Sequence, residues 1–136
     1  MSRLILCTLP VLLAVATSAC GDDVQTPASP TTPTNFTETF TGTLTRNGAQ
    51  THNFDTQASG TVTATLNVLT PDTATVGLAL GTWNGAVCQI VLANDRAVVT
   101  TVLQGGVSAV GRLCVRLYDV GTLAQPTNYE VVVVHP

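Results

Sequence analysis

From Phe36 onward, apolar and polar residues alternate with a period of two, and that pattern excludes helical architectures. In Thr61–Val68, residues Val62, Ala64, Leu66 and Val68 share one face, and Thr61, Thr63, Thr65 and Asn67 share the other. Successive strand side chains point to opposite faces, so this run is a strand with one face on a core and one in water. Phe36, Phe40 and Leu44 share a face of an earlier strand, with Thr37, Thr39, Thr41 and Thr43 opposite. Glu38 interrupts that apolar face and marks the strand as an edge. Val76, Leu78 and Leu80 repeat the alternation, and no stretch of ten residues carries a helical period. The abundance of Thr and Val agrees, since both favour pleated, half-buried strands.

Turn residues divide the pattern. Asn47-Gly48 separates the first strand from Gln50–Asp55, and Asn84-Gly85 separates Val76–Trp83 from Ala86–Leu92. Both residues of Asn-Gly tolerate positive φ, so each pair predicts a hairpin. Asn94-Asp95 predicts a turn into a strand over Ala97–Leu103, with Gly105-Gly106 after it. Arg112–Val120 and Tyr129–Val134 close the chain. Val131–Val134 is apolar on both faces and reads as a central strand. About eight short strands with frequent turns predict an all-β domain over residues 35–136: a single antiparallel β-sandwich, jelly-roll-like.

The chain before that domain reads differently. A short basic start precedes an apolar run from Leu4 to Ala16, followed by Thr17-Ser18-Ala19-Cys20-Gly21. This is the form of a secretory signal over residues 1–19. The run is too short for an ordinary spanning helix, which needs roughly 20 apolar residues. The segment resembles the bacterial lipoprotein signal, in which cleavage leaves a lipidated cysteine first. Thr17 stands where that pattern usually has an aliphatic residue. The resemblance implies lipidation of Cys20, the alternative being an ordinary secretory signal with Cys20 a plain thiol or disulfide partner. Several acyl chains would make the anchoring stable, where one alone is marginal. Gly21, where inner-membrane lipoproteins often carry Asp, points to the outer membrane. Residues 20–34 then form a Pro- and Thr-rich linker with almost nothing apolar, reaching at most about 40 Å at polyproline rise.

With residues 1–19 removed, 117 of 136 residues remain, carrying four Arg and no Lys against eight acids. No basic patch exists to hold nucleic acid or anionic lipid. Cys7 leaves with the signal and Cys20 takes lipid, so Cys88 and Cys114 remain in an oxidising compartment. One disulfide between them is the expectation, over two free buried thiols or half of a metal site.

The inventory of chemical motifs is thin. No HExxH, phosphate-binding GxxxxGK or GxGxxG motif occurs, and no cofactor or metal is expected. Gly106-Val107-Ser108-Ala109-Val110 approaches a nucleophile elbow, but Val110 replaces the second Gly and Ser108 reads as a turn residue. His52 and His135 lie far apart with no partner at motif spacing, so they read as inert surface residues more than as catalysts. Asp55, Asp72, Asp95 and Asp119 fall near strand ends, where calcium ligation is one reading and ordinary turn chemistry the stronger one. Trp83 and Tyr118 are the candidate ligand contacts, because exposed aromatics can stack on sugars or partners. The competing reading has these rings, with Tyr129, capping the core.

His52-Asn53-Phe54-Asp55, followed by Gly60-Thr61-Val62-Thr63-Ala64-Thr65-Leu66, is similar to the opening of bacterial pre-peptidase C-terminal domains. Leu113-Cys114-Val115-Arg116-Leu117-Tyr118-Asp119 and Tyr129-Glu130-Val131-Val132-Val133 resemble that family's closing strands. The resemblance covers about residues 36–136. It implies a jelly-roll-like sandwich without catalysis of its own, in a family whose members include binders of calcium, collagen or polysaccharide. The chain lacks the clustered acidic loop often seen early in such domains.

The expected function is display: a monomeric, non-catalytic binding or structural module held at the bacterial cell envelope by lipid, contacting protein or polysaccharide. The alternatives are an accessory or inhibitory subunit of another exported protein, and a small hydrolase using His52 or His135 with a nearby acid.

Overall fold

The computed structural model describes residues 34–136. The signal, Cys20 and almost all of the linker lie outside the described residues. Eight strands follow in order: β1 Phe36–Leu44, β2 Ala49–Thr56, β3 Gly60–Thr70, β4 Val76–Trp83, β5 Cys88–Ala97, β6 Val102–Val107, β7 Gly111–Tyr118 and β8 Thr127–His135. They form two four-stranded antiparallel sheets, ordered β1-β8-β3-β6 and β2-β7-β4-β5. β1 pairs with β8, β2 with β7, β3 with β6 and β4 with β5. The chain is thus a long folded-back ribbon rolled into two layers, the winding of a jelly roll.

The core is the inward half of each alternation. Leu66, Leu78, Leu117, Val115, Val131 and Val133 are fully buried. Each such side chain contributes roughly 1.5–3 kcal/mol of transfer free energy on leaving water. β8 lies between β1 and β3, as the run Val131–Val134 requires, and Val132 and Val134 on its second face are half-buried. β1 lies at a sheet edge, as Glu38 predicts.

Three turns depart from expectation. Asn47-Gly48 makes its turn, with φ 57° at Asn47 and the Gly48 N–H donating to Thr45 O at 2.9 Å. Yet β1 and β2 lie in different sheets, so this is a crossover and not a hairpin. Only Asn84-Gly85 makes a hairpin, with Trp83 opposite Cys88 and the Asn84 side-chain oxygen accepting from the Ala86 and Val87 N–H groups. Asn94-Asp95 does not end a strand. It lies inside β5 at a register shift, where Asn94 Oδ1 accepts from the Arg96 N–H at 2.8 Å. The Asx side chain closes its local turn within a bulge while pairing continues on both sides.

The real turn is Val98–Thr101, and Gly105-Gly106 belongs to β6. Thr100 sits at φ 75°, a strained conformation for a β-branched residue. It is held there from β3: the Thr100 N–H donates to Leu66 O at 2.8 Å, and the Leu66 N–H donates to Thr101 O at 2.9 Å.

Cys88 and Cys114 form a disulfide with a Cα–Cα separation of 5.8 Å, within the range a bridge requires. It joins β5 to β7, which are separated in the sheet by β4. Gly81 on β4, opposite Cys114, lets β5 approach closely, because the Gln89–Ile90 backbone packs where its side chain would stand. Both cysteines are buried, Cys114 fully.

Candidate functional site

The sandwich has two open sides. β1 and β2 are the sheet edges on one, and β5 and β6 the edges on the other. Polar chemistry gathers on the first.

His135 ends β8 in inward register with Val131 and Val133 and is only 2% exposed. Its ring lies 5.0 Å from Phe54 and stacks 5.9 Å from Phe36. Its Nε2–H donates to Glu38 Oε1 at 3.1 Å. The inward position of Glu38, which breaks the apolar pattern of β1, is therefore the position of a partner for a buried imidazole. Two residues before Phe54 on β2, half-buried His52 stacks on Phe40 with centroids 4.8 Å apart, and its Nε2 is 2.7 Å from the Tyr129 hydroxyl oxygen. Burial pulls the His52 pKa below its ordinary value and pushes the Tyr129 phenol up.

Outside the His135 pair, Asp55 Oδ1 accepts from Arg112 Nε at 2.9 Å. The Arg112 hydrogen bond holds the Asp55 carboxyl below its usual range, and Asp55 in turn raises Arg112. Phe36, Thr37, Glu38, Asn53, Phe54, Asp55, Gln57 and His135 line a cleft of about 760 Å³. That is ligand-sized on the scale of roughly 300–1,000 Å³. Its walls hold carboxylates, side-chain amides, a histidine and two phenylalanine rings, of which Phe36 is the exposed one. Such a lining can accept and donate hydrogen bonds and present one flat apolar surface. Thr37 carries the only hydroxyl among the lining residues, and no thiol is present.

The other open side is apolar. Val62, Leu80, Val91, Leu92, Val107 and Leu113 enclose a slot of about 110 Å³, and Gly105-Gly106 leaves its wall without side chains. Val91 and Leu92 are exposed there, Val91 to 70%.

The candidate aromatics do not meet. Trp83 ends β4, half-buried, whereas Tyr118 packs over Gly77 at its beginning. Tyr118 donates to Asp95, and burial together with this bond pushes its pKa up to about 12. It lines a shallow depression of about 380 Å³ with Asn47, Ile90, Arg116 and Asp119. Tyr129 is buried. His52 and His135 are not the surface residues their isolation in sequence suggested, because both face the layer between the sheets.

The acids are occupied in other ways. Asp119 Oδ1 accepts from the Gly121, Thr122 and Leu123 N–H groups, and its Oδ2 from the Asn47 N–H. These bonds, that of Asn47 first, lower its pKa. It organises two loops, as an ordinary turn Asp does. Among the described residues no group of three or more His, Cys, Asp or Glu could hold a metal ion. Ser108 lies in the turn between β6 and β7.

Sequence motifs missed the Glu38–His135 pair because its members are 97 residues apart. The available signal was two polar residues in inward register, one on each of two strands with otherwise apolar inner faces. No family model matches the chain, and no curated protein matches its sequence.

Proposed function

We propose that this chain is an exported lipoprotein, cut before Cys20 and held by lipid at the cell envelope, in the outer membrane. The sandwich is a non-catalytic binding module, and the cleft between β1 and β2 is its contact surface. The observation that carries this reading is the Cys88–Cys114 disulfide. Such bridges persist in oxidising compartments, which is where a signal of this form delivers a chain. A two-sheet sandwich is also compatible with the resemblance to pre-peptidase C-terminal domains.

The test is metabolic labelling with radioactive palmitate, followed by envelope fractionation. The wild-type chain takes label and stays with the membrane. Cys20→Ser loses label and is released with its fold intact. A Cys20→Ser protein that remains membrane-bound after signal cleavage overturns the proposal.

One observation favours a second reading, a hydrolase: the cleft brings a histidine to a carboxylate and places a second carboxylate nearby. Against it, the His135 Nε2 that would act as base is taken by Glu38, and no serine or cysteine lines the cleft. Turnover of an oligosaccharide or ester that disappears in Glu38→Gln would establish the hydrolase.

A further inference from the structure

We infer that the end of the sandwich where the described chain begins rests on the lipid bilayer, with the β4–β5 hairpin and the β6–β7 turn seated in its interface, an inference that rests on reading Cys20 as lipidated. Strand register brings these parts to one end. Phe36 lies opposite His135, Gly60 opposite Val107, Thr56 opposite Gly111 and Thr82 opposite Leu113. The start of β1, the turn over 108–110 and the hairpin over 84–87 therefore point the same way. The Gln57 N–H, which donates to Pro136 O at 2.8 Å, ties the two sheets together there.

Both loops have apolar tips. Val87 is 56% exposed and Val110 69%, beside exposed Ala86 and Ala109. Neither residues 82–94 nor residues 97–111 include a charged side chain, and the nearby Arg112 is paired with Asp55 at 2.9 Å. The loops of the opposite end carry Arg46, Asp72 and Asp119. A loop that enters lipid must also satisfy its own backbone, because no water is there to do so. In the hairpin, Asn84 Oδ1 accepts from the Ala86 and Val87 N–H groups, and the Asn84 N–H donates to Val87 O at 3.3 Å. Beside the turn, the Thr56 hydroxyl accepts from the Gly111 N–H at 3.1 Å.

Two valines do not hold a free domain on a bilayer, since interfacial binding scales with the apolar area buried. Acyl chains on Cys20 keep the domain within linker reach of the surface, and at that effective concentration a weak contact suffices. The tips then orient the domain and do not recruit it. The contact needs no anionic lipid, in keeping with a mature chain of four Arg and no Lys against eight acids. Neither loop lines the cleft between β1 and β2, so the tips are seated without using a cleft residue.

Trp83, the single Trp of the chain, ends β4 at the base of the hairpin and serves as the reporter. The mature protein purified from membranes is weighed intact by mass spectrometry. It is then reconstituted into phosphatidylcholine vesicles, with and without bromine near the top of the acyl chains. Trp83 emission shifts to the blue relative to the Cys20→Ser protein in buffer. Bromine removes roughly half of it, the tips reaching roughly 5–10 Å into the headgroup and acyl boundary. Trp83→Phe/Val87→Trp, with the reporter on the tip itself, is quenched more strongly. Val87→Asp/Val110→Asp loses the shift and the quenching with unchanged thermal unfolding, whereas Val98→Asp at the far end of β5 keeps both. Added phosphatidylglycerol or salt changes neither. A lipidated protein that bromine does not quench, in either reporter position, overturns the inference and leaves the lipoprotein reading standing. So does quenching that survives Val87→Asp/Val110→Asp. A blue shift without quenching that grows with protein density places the tips against a second copy and also overturns it. A mature chain without acyl mass overturns the lipoprotein reading and this inference with it.

Discussion

The two open sides of this sandwich are built from the same kind of element and solve the same problem differently. Each exposes two edge strands with unpaired backbone groups, an invitation to pair with another chain. On the β1/β2 side, Thr residues cover the outer face of β1, and Glu38, His52, Asp55 and His135 carry polar and ionisable groups. On the β5/β6 side, exposed Val91 and Leu92 line a slot without a charged residue. The first side is defended by polarity. The second cannot be hydrated cheaply, and the Cys88–Cys114 bridge fastens β5 to β7 beside it.

Removing the bridge tests this contrast most severely. The Cys88→Ala/Cys114→Ala double variant is expected to lose about 3–4 kcal/mol, because the bridge closes a loop of separation 26. Urea unfolding measures it, and a loss under about 1 kcal/mol would mean that packing alone holds β5. On the opposite side, His135→Ala should cost roughly 3 kcal/mol by emptying the space between Phe36 and Phe54. His135→Phe should recover most of this, since packing there outweighs the bond to Glu38. If Phe is as damaging as Ala, the polar pair is the dominant contribution.

The turn after β5 offers a gain. Thr100→Gly relieves a strained φ of 75° and should stabilise by about 0.5–1 kcal/mol once the entropy of the added glycine is counted. A lower unfolding midpoint would show that Leu66 holds this turn without strain. Val91→Lys puts a charge on the apolar edge strand. It should raise the temperature at which heated protein aggregates while leaving the reversible unfolding midpoint nearly unchanged.

Acid acts on the other side. Burial holds His52 below its unfolded pKa, so the unfolded chain binds its proton first and stability falls as pH drops below about 6.5. Asp55 and Asp119 also have lowered folded pKa values, so their contributions are present above the ordinary carboxylate range and are lost as pH falls through the folded values. Thermal unfolding from pH 8 downward should therefore show two successive losses. His52→Phe should remove the first and leave the second.

The sequence made the strands legible because alternation reports burial directly, and Val131–Val134 showed even a central position. Connectivity was less legible. Asn47-Gly48 and Asn84-Gly85 are the same dipeptide with the same backbone preference, yet one crosses between sheets and the other closes a hairpin. Turn chemistry determines how the chain reverses locally. Which sheet the next strand joins is decided by burial across the whole layer. Asn94-Asp95 was misread for a related reason, since an Asx side chain can satisfy its turn inside a bulge. The cleft was least legible, because Glu38 and His135 look like separate faults in two apolar faces until the roll brings β1 beside β8.

That pairing of β1 with β8 governs when the domain can fold. Phe36 lies opposite His135, so nearly the whole described chain separates the two partners. Loop-closure entropy must be overcome before such contacts return any energy, which makes folds of high contact order slow. During synthesis β1 waits unpaired until residues near 135 are available. The described strand that is made first is thus the one whose only sheet neighbour is made last.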